Sequence, residues 1–333
     1  MADLLGGEAH GMVFGRSTTQ STMDMARAIA KGWKAGDEVV VTRLDHDANI
    51  TPWAIAAATR DAVVRVADFD PATGELDPAQ IEWVLSEGRT KVVAVTGASN
   101  LIGTMPDLPA IAALAHAAGA WLYVDGVHLA PHAFVDVAAI GADLFACSPY
   151  KFLGPHCGVL YGRPEVLERI APDKLVASTD AVPERFELGT LPYELMAGTT
   201  AAVDFLAGMA PSGAGSRRDR LRVSMAALEA HEERLRTRIE DGLARLPGCT
   251  LHSRARRRTP TLLVTFDGHD AADVAAFLAE RGVNAPASHF YALEASRRLG
   301  LGDAGGLRIG LAPYNDDGDV DRLLDGLEAY LAR

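Results

Sequence analysis

The chain is poor in cysteine: only Cys147, Cys157 and Cys249 occur among 333 residues. An odd number in so long a chain excludes a disulfide framework and points to a reducing compartment. No apolar run approaches the roughly 20 residues that cross a bilayer. Residues 1–7 carry neither the basic n-region nor the apolar h-region of a secretory signal, so a cytoplasmic location is expected. Positive charge is also short. Lys and Arg number 32 against 44 Asp and Glu, a net charge of −12. That balance speaks against a nucleic-acid partner, whose phosphates require a basic face. The one basic cluster, Arg254 with Arg256, Arg257 and Arg258, reads as a solvated loop before a strand at residue 261. Lysine is the rarest cation. Only residues 31, 34, 91, 151 and 174 are Lys, five of the 32 basic residues. Four of them sit in polar or turn-like contexts, whereas Lys151 stands among Pro149, Tyr150, Phe152 and Leu153. Arg cannot form a Schiff base and Lys can, so position 151 is where a primary amine is chemically required.

The hydrophobic share of 48 % and charged share of 23 % are those of a soluble globular protein, and the length suits two domains. Up to about residue 165, short β-branched runs alternate with helical patterns. Strands are expected at 39–42, 63–66, 92–95, 122–125, 144–147 and 159–161, with helices at 19–30, 77–86 and 108–118. This alternation predicts an α/β fold with a mostly parallel sheet and helices on both faces. Residues 2–5 read as the tail of a helix ended by Gly6-Gly7. Gly, Ser, Ala and Pro dominate residues 207–217, which reads as a linker, and a charged helix is expected over 224–246. A second α/β pattern follows, with strands at 261–266 and 307–311 and helices at 270–281 and 317–331. The expected division is a large domain over 1–215 and a small C-terminal domain over 216–333.

Three features form a chemical set. A strand ends at Ser148 and Lys151 follows in a tight turn rich in Gly and Pro, where an amine could form a Schiff base and shuttle a proton. The strand 122–125 ends in Asp125, and a carboxylate beside a pyridine nitrogen keeps pyridoxal 5'-phosphate (PLP) protonated as an electron sink. Lys and Asp at the carboxyl ends of two strands share one crevice. Ser17, Thr18 and Thr19 directly precede a helix, and hydroxyls with free N–H groups at a helix start form an anion cup suited to the phosphate.

Residues 45–53 (Asp-His-Asp-Ala-Asn-Ile-Thr-Pro-Trp), 99–103, 125–128, the Lys151 segment, 186–190 and 307–315 resemble, in order and over almost the whole chain, the class V aminotransferases, and within them the cysteine-desulfurase-like group. The resemblance implies the fold type I architecture of PLP enzymes, with a small C-terminal α/β domain and a homodimer whose active sites lie at the subunit interface. It implies that Lys151 carries the Schiff base, that Asp125 holds the pyridinium and that His46 stacks on the ring. His128 would stand near the ring hydroxyl. Thr18, Thr19 and Ser148 would hold the phosphate, helped by Thr190 of the other subunit. Arg308 and Asn100 would bind the substrate carboxylate, for which a planar fork suits two oxygens.

Two departures bear on function. Cysteine desulfurases use a cysteine on a mobile loop of the C-terminal domain, but residues 284–293 contain none. His289 and Tyr291 are expected to line the substrate pocket instead, and the three cysteines read as small buried hydrophobes. Relatives also carry several dozen residues ahead of the phosphate cup, which here begins at Ser17; a shortened reading frame and an opened substrate entrance both account for that. His128, His132 and His156 suggest no metal, because Pro131 interrupts a helical 128/132 spacing and no acidic partner stands at metal-like spacing. The expected activity is therefore a PLP-dependent transferase or lyase acting on a small amino acid, by amino transfer or β-elimination. Racemisation and a non-catalytic PLP-fold binding protein are the alternatives. A nucleotide-binding enzyme ranks last, since neither a Gly-x-Gly-x-x-Gly fingerprint after the first strand nor a Gly-Lys-Ser/Thr loop occurs.

Overall fold

The computed structural model describes residues 1–211 and 215–333. The first helix, α1 (Ala2–Leu5), ends at Gly6 in the left-handed conformation with φ 73°. Then follow β1 (Met12–Gly15), α2 (Thr18–Ala30), β2 (Glu38–Thr42), α3 (Thr51–Ala58), β3 (Val63–Ala67), α4 (Pro78–Val84), β4 (Thr90–Thr96), α5 (Leu108–Ala117) and β5 (Trp121–Asp125). Next come α6 (Val137–Ile140), β6 (Leu144–Cys147), β7 (Gly158–Gly162), α7 (Pro164–Leu167) and α8 (Tyr193–Ala207). The remainder comprises α9 (Arg217–Leu243), β8 (Cys249–Leu251), β9 (Thr261–Phe266), α10 (Ala271–Ala279), β10 (Ala287–Ser288), α11 (Leu293–Arg298), β11 (Gly306–Gly310) and α12 (Asp317–Leu331).

Strands β1 to β7 form one sheet in the order β1-β7-β6-β5-β4-β2-β3. The run from β3 to β6 is parallel, and β7 alone runs antiparallel to its neighbours β6 and β1. The valine runs explain the layering. Val39 and Val41 pack on one face while Val40 packs on the other, and all three are buried. Strands buried on both faces read as continuous apolar runs, the mark of a parallel sheet clad by helices. β3 at the edge is the exception, with Val63 and Val66 exposed. Strands β8 to β11 form a second, antiparallel sheet in the order β10-β11-β9-β8. Its core includes Leu262, Val264, Leu307, Val320 and Leu327.

The helix α9 is shared by the two cores. Its 27 residues give a rod of about 40 Å. Leu221 near its start packs in the core of the large sheet, and Leu235, Ile239 and Leu243 pack in that of the small one. It begins at Arg217, seven residues before the expected start, because Ser216 and Asp219 form a capping box. Residues 212–214 of the expected linker lie outside the described residues. Strands β1, β8 and β10 were not anticipated; they span four, three and two residues, too short to show a period.

One close approach ties the fold to the crevice. The start of α2 lies against β7 at Gly158, where an added Cβ would fall 2.4 Å from the Ser17 carbonyl carbon and 2.6 Å from the Thr18 nitrogen. Backbone atoms on both sides leave nothing flexible to give way. Gly158→Ala is therefore expected to cost about 2–3 kcal/mol by overpacking. It should also push the start of α2 off the sheet. Urea unfolding checks the first effect, and a parallel loss of inorganic phosphate or PLP affinity checks the second.

Candidate active site

The site is built at the carboxyl ends of β5 and β6. Asp125 pairs with Ala146 across these strands, and Gly126 N–H donates to the Ala146 carbonyl at 2.8 Å. Two residues beyond Ala146 the chain leaves β6 at Ser148 and enters a 3₁₀ turn, Pro149–Phe152, that carries Lys151. Leu153 closes that turn with φ 69°, a conformation a non-glycine residue adopts only under the constraint of its surroundings. Gly126 is needed for the approach of β5 and β6, since a Cβ there would overlap the Phe145 ring.

Behind the lysine turn sits the start of α2. Ser17 caps it, accepting the Gln20 N–H at 3.1 Å. Thr18 is buried; its hydroxyl donates to the Cys147 carbonyl at 2.8 Å and lies 2.7 Å from the Ser148 hydroxyl. The helix start is thereby stitched to the end of β6, with its first N–H groups left for a ligand. A cavity of about 910 Å³ opens here, lined by Ser17, Thr18, Thr19 and Ser148 at one end. Asp125, Lys151, His46, Asn100, His128, Arg308 and Tyr291 line it too. Two expected residues do not. His289 turns away, its Nδ1 accepting the Tyr291 N–H at 3.1 Å in a local turn. Thr190 lies on an exposed stretch between residue 186 and α8, off the cavity of its own chain.

The electrostatics follow from burial. Asp125 is buried and receives one backbone N–H, from Val127 at 3.0 Å. Burial pushes its carboxyl up to about 6, while that N–H and the charge of Lys151 pull the other way. Solvent reaches Lys151 through the cavity mouth, yet the surrounding protein holds its amine below the usual lysine range. Desolvation is the larger cause, followed by the charge of Arg308, with Asp125 opposing both. Burial lowers Arg308 to about 10. No carboxylate pairs with Arg308 among the described residues. Its Nη1 donates to the Asn100 carbonyl at 3.0 Å, and its guanidinium lies 3.7 Å from the centre of the Phe290 ring.

His46 is held neutral: burial brings it down to about 4. Its Nδ1 accepts the Ala48 N–H at 3.0 Å, so the ring proton resides on Nε2. The ring stacks on Tyr291, with centroids 5.5 Å apart and planes at 28°. Tyr291 is tied down by its carbonyl, which accepts the Asp47 N–H at 2.7 Å, and the Phe290 carbonyl accepts from Asn100 Nδ2 at 2.8 Å. Phe290 and Tyr291 both have positive φ, 50° and 60°. Asn100 Oδ1 is buried and unpaired. No thiol lines the cavity: Cys147 and Cys157 are buried in the core, and Cys249 lies on β8. Sequence reasoning missed Tyr150, whose ring lies 5.2 Å from the Lys151 amine and stacks on His156, and it missed Phe290 beneath Arg308. Residue types alone carry no signal for either.

A lysine amine and a buried carboxyl share one cavity with a hydroxyl-lined helix start, beneath a free guanidinium. Together they define an enzyme site that holds a phosphorylated, amine-reactive cofactor. The chain belongs to the class-V aminotransferases, whose family profile (Aminotransferase class-V) matches residues 1–323. It is 32 % identical over 332 residues to a probable cysteine desulfurase of Pseudomonas aeruginosa, covering 96 % of this chain and 78 % of that one. It is 33 % identical over 333 residues to a cysteine desulfurase of Dickeya dadantii, covering 96 % and 76 %. The fold superposes on a crystal structure of a cysteine desulfurase of Escherichia coli with a TM-score of 0.89 and 29 % identity, over 99 % of this chain and 82 % of that one. These enzymes are PLP-dependent, with the type I architecture of a mostly parallel central sheet. The residues present fit that group: the helix-start N–H groups of α2 with Ser17, Thr18 and Thr19 on the cavity wall, a buried carboxyl with one donor, and an orphaned Asn100 Oδ1 suit a polar, phosphorylated partner. No helix among the described residues is long and apolar enough to cross a membrane.

Two buried groups titrate in opposite senses. The folded state holds the Asp125 proton more tightly than the unfolded chain does. Its contribution is therefore lost as pH rises from about 4 through about 6, in total about 3 kcal/mol. His46, lowered to about 4, gives the opposite slope: stability is lost as pH falls from about 6.5 through 4. In cofactor-free protein the two should largely cancel. Asp125→Asn should expose a profile that rises with pH over this window and His46→Gln one that falls, both read from urea midpoints. Parallel profiles in all three proteins would refute the assignment.

Proposed function

We propose that the chain acts on a small, neutral α-amino acid as a lyase that eliminates the β-substituent of a cysteine-like substrate. What carries this reading is Arg308: one half-buried guanidinium with no carboxylate partner among the described residues, facing the cavity that holds Lys151 and Asp125. A cation buried at such cost is retained for an anion that arrives. One fork suits one carboxylate, which favours a monocarboxylic substrate over a dicarboxylic one. Phe290, Tyr291, Leu311 and Pro313 give this end of the cavity an aromatic and apolar share of its wall.

The protein's own part in the reaction follows from the geometry. Lys151 would carry the cofactor, Asp125 would keep the ring nitrogen protonated, and Thr18, Thr19 and Ser148 would hold the phosphate. PLP supplies, when bound, the sink for the electron pair released at the substrate α-carbon. Arg308 fixes the substrate carboxylate. The lowered proton affinity of Lys151 leaves more free amine at neutral pH, which suits it to take the α-proton and return it. His46, neutral and carrying its proton on Nε2, offers a flat uncharged face for a ring. The relatives named cysteine desulfurases support a sulfur amino acid as substrate. The absence of a thiol from the cavity lining supports release of sulfide over its transfer to protein. The exposed Leu188 and Tyr193 beside Thr190 favour a homodimer in which that segment reaches the partner's phosphate end.

The test is product analysis of PLP-loaded protein with L-cysteine. Elimination yields sulfide, pyruvate and ammonia in equal amounts with no persulfide on the protein. Amino transfer would yield a keto acid without sulfide and require a second keto acid for turnover, and racemisation would change only the chirality. Arg308→Ala should raise KM about 100-fold, the equivalent of about 3 kcal/mol of lost charge-assisted hydrogen bonding. Arg308→Lys should recover only part of it, since a point charge cannot reproduce the fork. Unchanged KM in Arg308→Ala would move the carboxylate site elsewhere.

A further inference from the structure

One buried histidine–glutamate contact next to the cavity has no part in the chemistry above. His132 Nδ1 lies 3.0 and 3.2 Å from the two carboxylate oxygens of Glu232. Both side chains are withdrawn from solvent, 11 % and 2 % exposed. Glu232 comes from the middle of α9, between the residues that pack in the large core and those that pack in the small one. His132 comes from the loop after β5, seven residues beyond Asp125, and lines the active-site cavity.

The same loop supplies His128, which lines the cavity too. The rings of His128 and His132 meet edge to face, with centroids 5.1 Å apart at 65°. His128 Nε2 lies 2.8 Å from the Thr261 hydroxyl and 3.1 Å from that of Thr259, at the start of the small-sheet strand β9. Both imidazoles of the β5 loop are thus held by groups outside the large sheet, one by α9 and one by β9. A smaller cavity of about 240 Å³ lies against the pair, and Glu229, Glu233, Arg236 and Arg258 face it. Arg236 is engaged by Glu233 and Glu240, and Arg258 by Glu240, so Glu232 has His132 as its partner.

We propose that Glu232 and His132 are positioning residues for the cofactor pocket: through the edge of His132 they fix the ring of His128, and they make its placement depend on the seating of α9 and the small sheet. This rests on the PLP reading above. Glu232 accepts the His132 Nδ1–H, which fixes the orientation of that ring. His132 then packs its ring against that of His128. Without Glu232 the buried Nδ1–H loses its acceptor, the ring is free to turn, and His128 loses that packing while its threonine contacts persist.

The test compares wild type with Glu232→Ala, Glu232→Gln and His132→Asn. Proton NMR of cofactor-free wild type should show a protected downfield imidazole N–H assigned to His132. That resonance should vanish in Glu232→Ala and persist in Glu232→Gln, which keeps an acceptor. With PLP, Glu232→Ala and His132→Asn should bind about tenfold more weakly and shift the visible band, while Glu232→Gln stays within about threefold of wild type. A role confined to stability would lower the melting temperature of Glu232→Ala and leave PLP affinity and band position unchanged; that outcome overturns the proposal, as does a wild type lacking the protected resonance. Should Glu232→Ala fail to fold, His132→Asn carries the same test, because its amide still gives Glu232 a donor while removing the ring. Failure of wild type itself to bind PLP would refute the cofactor reading, whereas the NMR resonance reports on the His132–Glu232 contact independently.

Discussion

Everything in the site depends on how the end of β6 is held. The Thr18 hydroxyl bonds to the Cys147 carbonyl and the Ser148 hydroxyl, and Gly158 on the neighbouring strand lets the start of α2 come close enough for that contact. Strand β6 pairs with β5 so that Asp125 stands opposite Ala146, two residues before the chain turns toward Lys151. One seam therefore places an anion cup, a buried carboxyl and a lysine amine around a single crevice. The side chains need no long reach, because the backbone register has already brought them together.

Burial then divides the labour among groups of similar type. Two acidic side chains near the crevice, Asp125 and Asp45, are both pushed upward by desolvation, yet only Asp125 lines the cavity. Asp45 is consumed within the protein: it accepts from Asn49 Nδ2 at 2.7 Å, and Asn49 in turn accepts from Trp53 Nε1 at 3.1 Å. That network anchors the turn that presents His46. Likewise Lys151 and Arg308 are both lowered by desolvation, but an amine gives up its proton more readily than a guanidinium. One cation is thus suited to proton transfer and the other to holding a carboxylate.

Much of this was legible in the sequence, and for physical reasons. Valine runs revealed the parallel sheet because both faces are buried. Lys151 stood out because a chain that otherwise prefers arginine kept lysine there, and Asp125 and Ser17 to Thr19 followed from strand ends and a helix start. What escaped the sequence reading depended on long-range contact. The stacking of Tyr291 on His46 joins residues 245 positions apart, and its backbone pairing to Asp47 has no local signature. The placement of His289 had no signal either, because the left-handed Phe290 and Tyr291 turn the loop locally so that Tyr291 lines the cavity and His289 folds back on the chain. The Glu232–His132 pair links a helix to a loop 100 residues away, and the charge pattern of α9 gives no hint which of its many acids is buried.

The central claim is that Lys151 is the amine that carries the cofactor. The most direct measurement is borohydride reduction of PLP-loaded protein followed by peptide mass mapping. The account predicts a single stable pyridoxyl modification on Lys151, formed in wild type and absent from Lys151→Ala. Modification of Lys31, Lys34, Lys91 or Lys174 in its place, or none in a protein that nevertheless binds PLP, would contradict it.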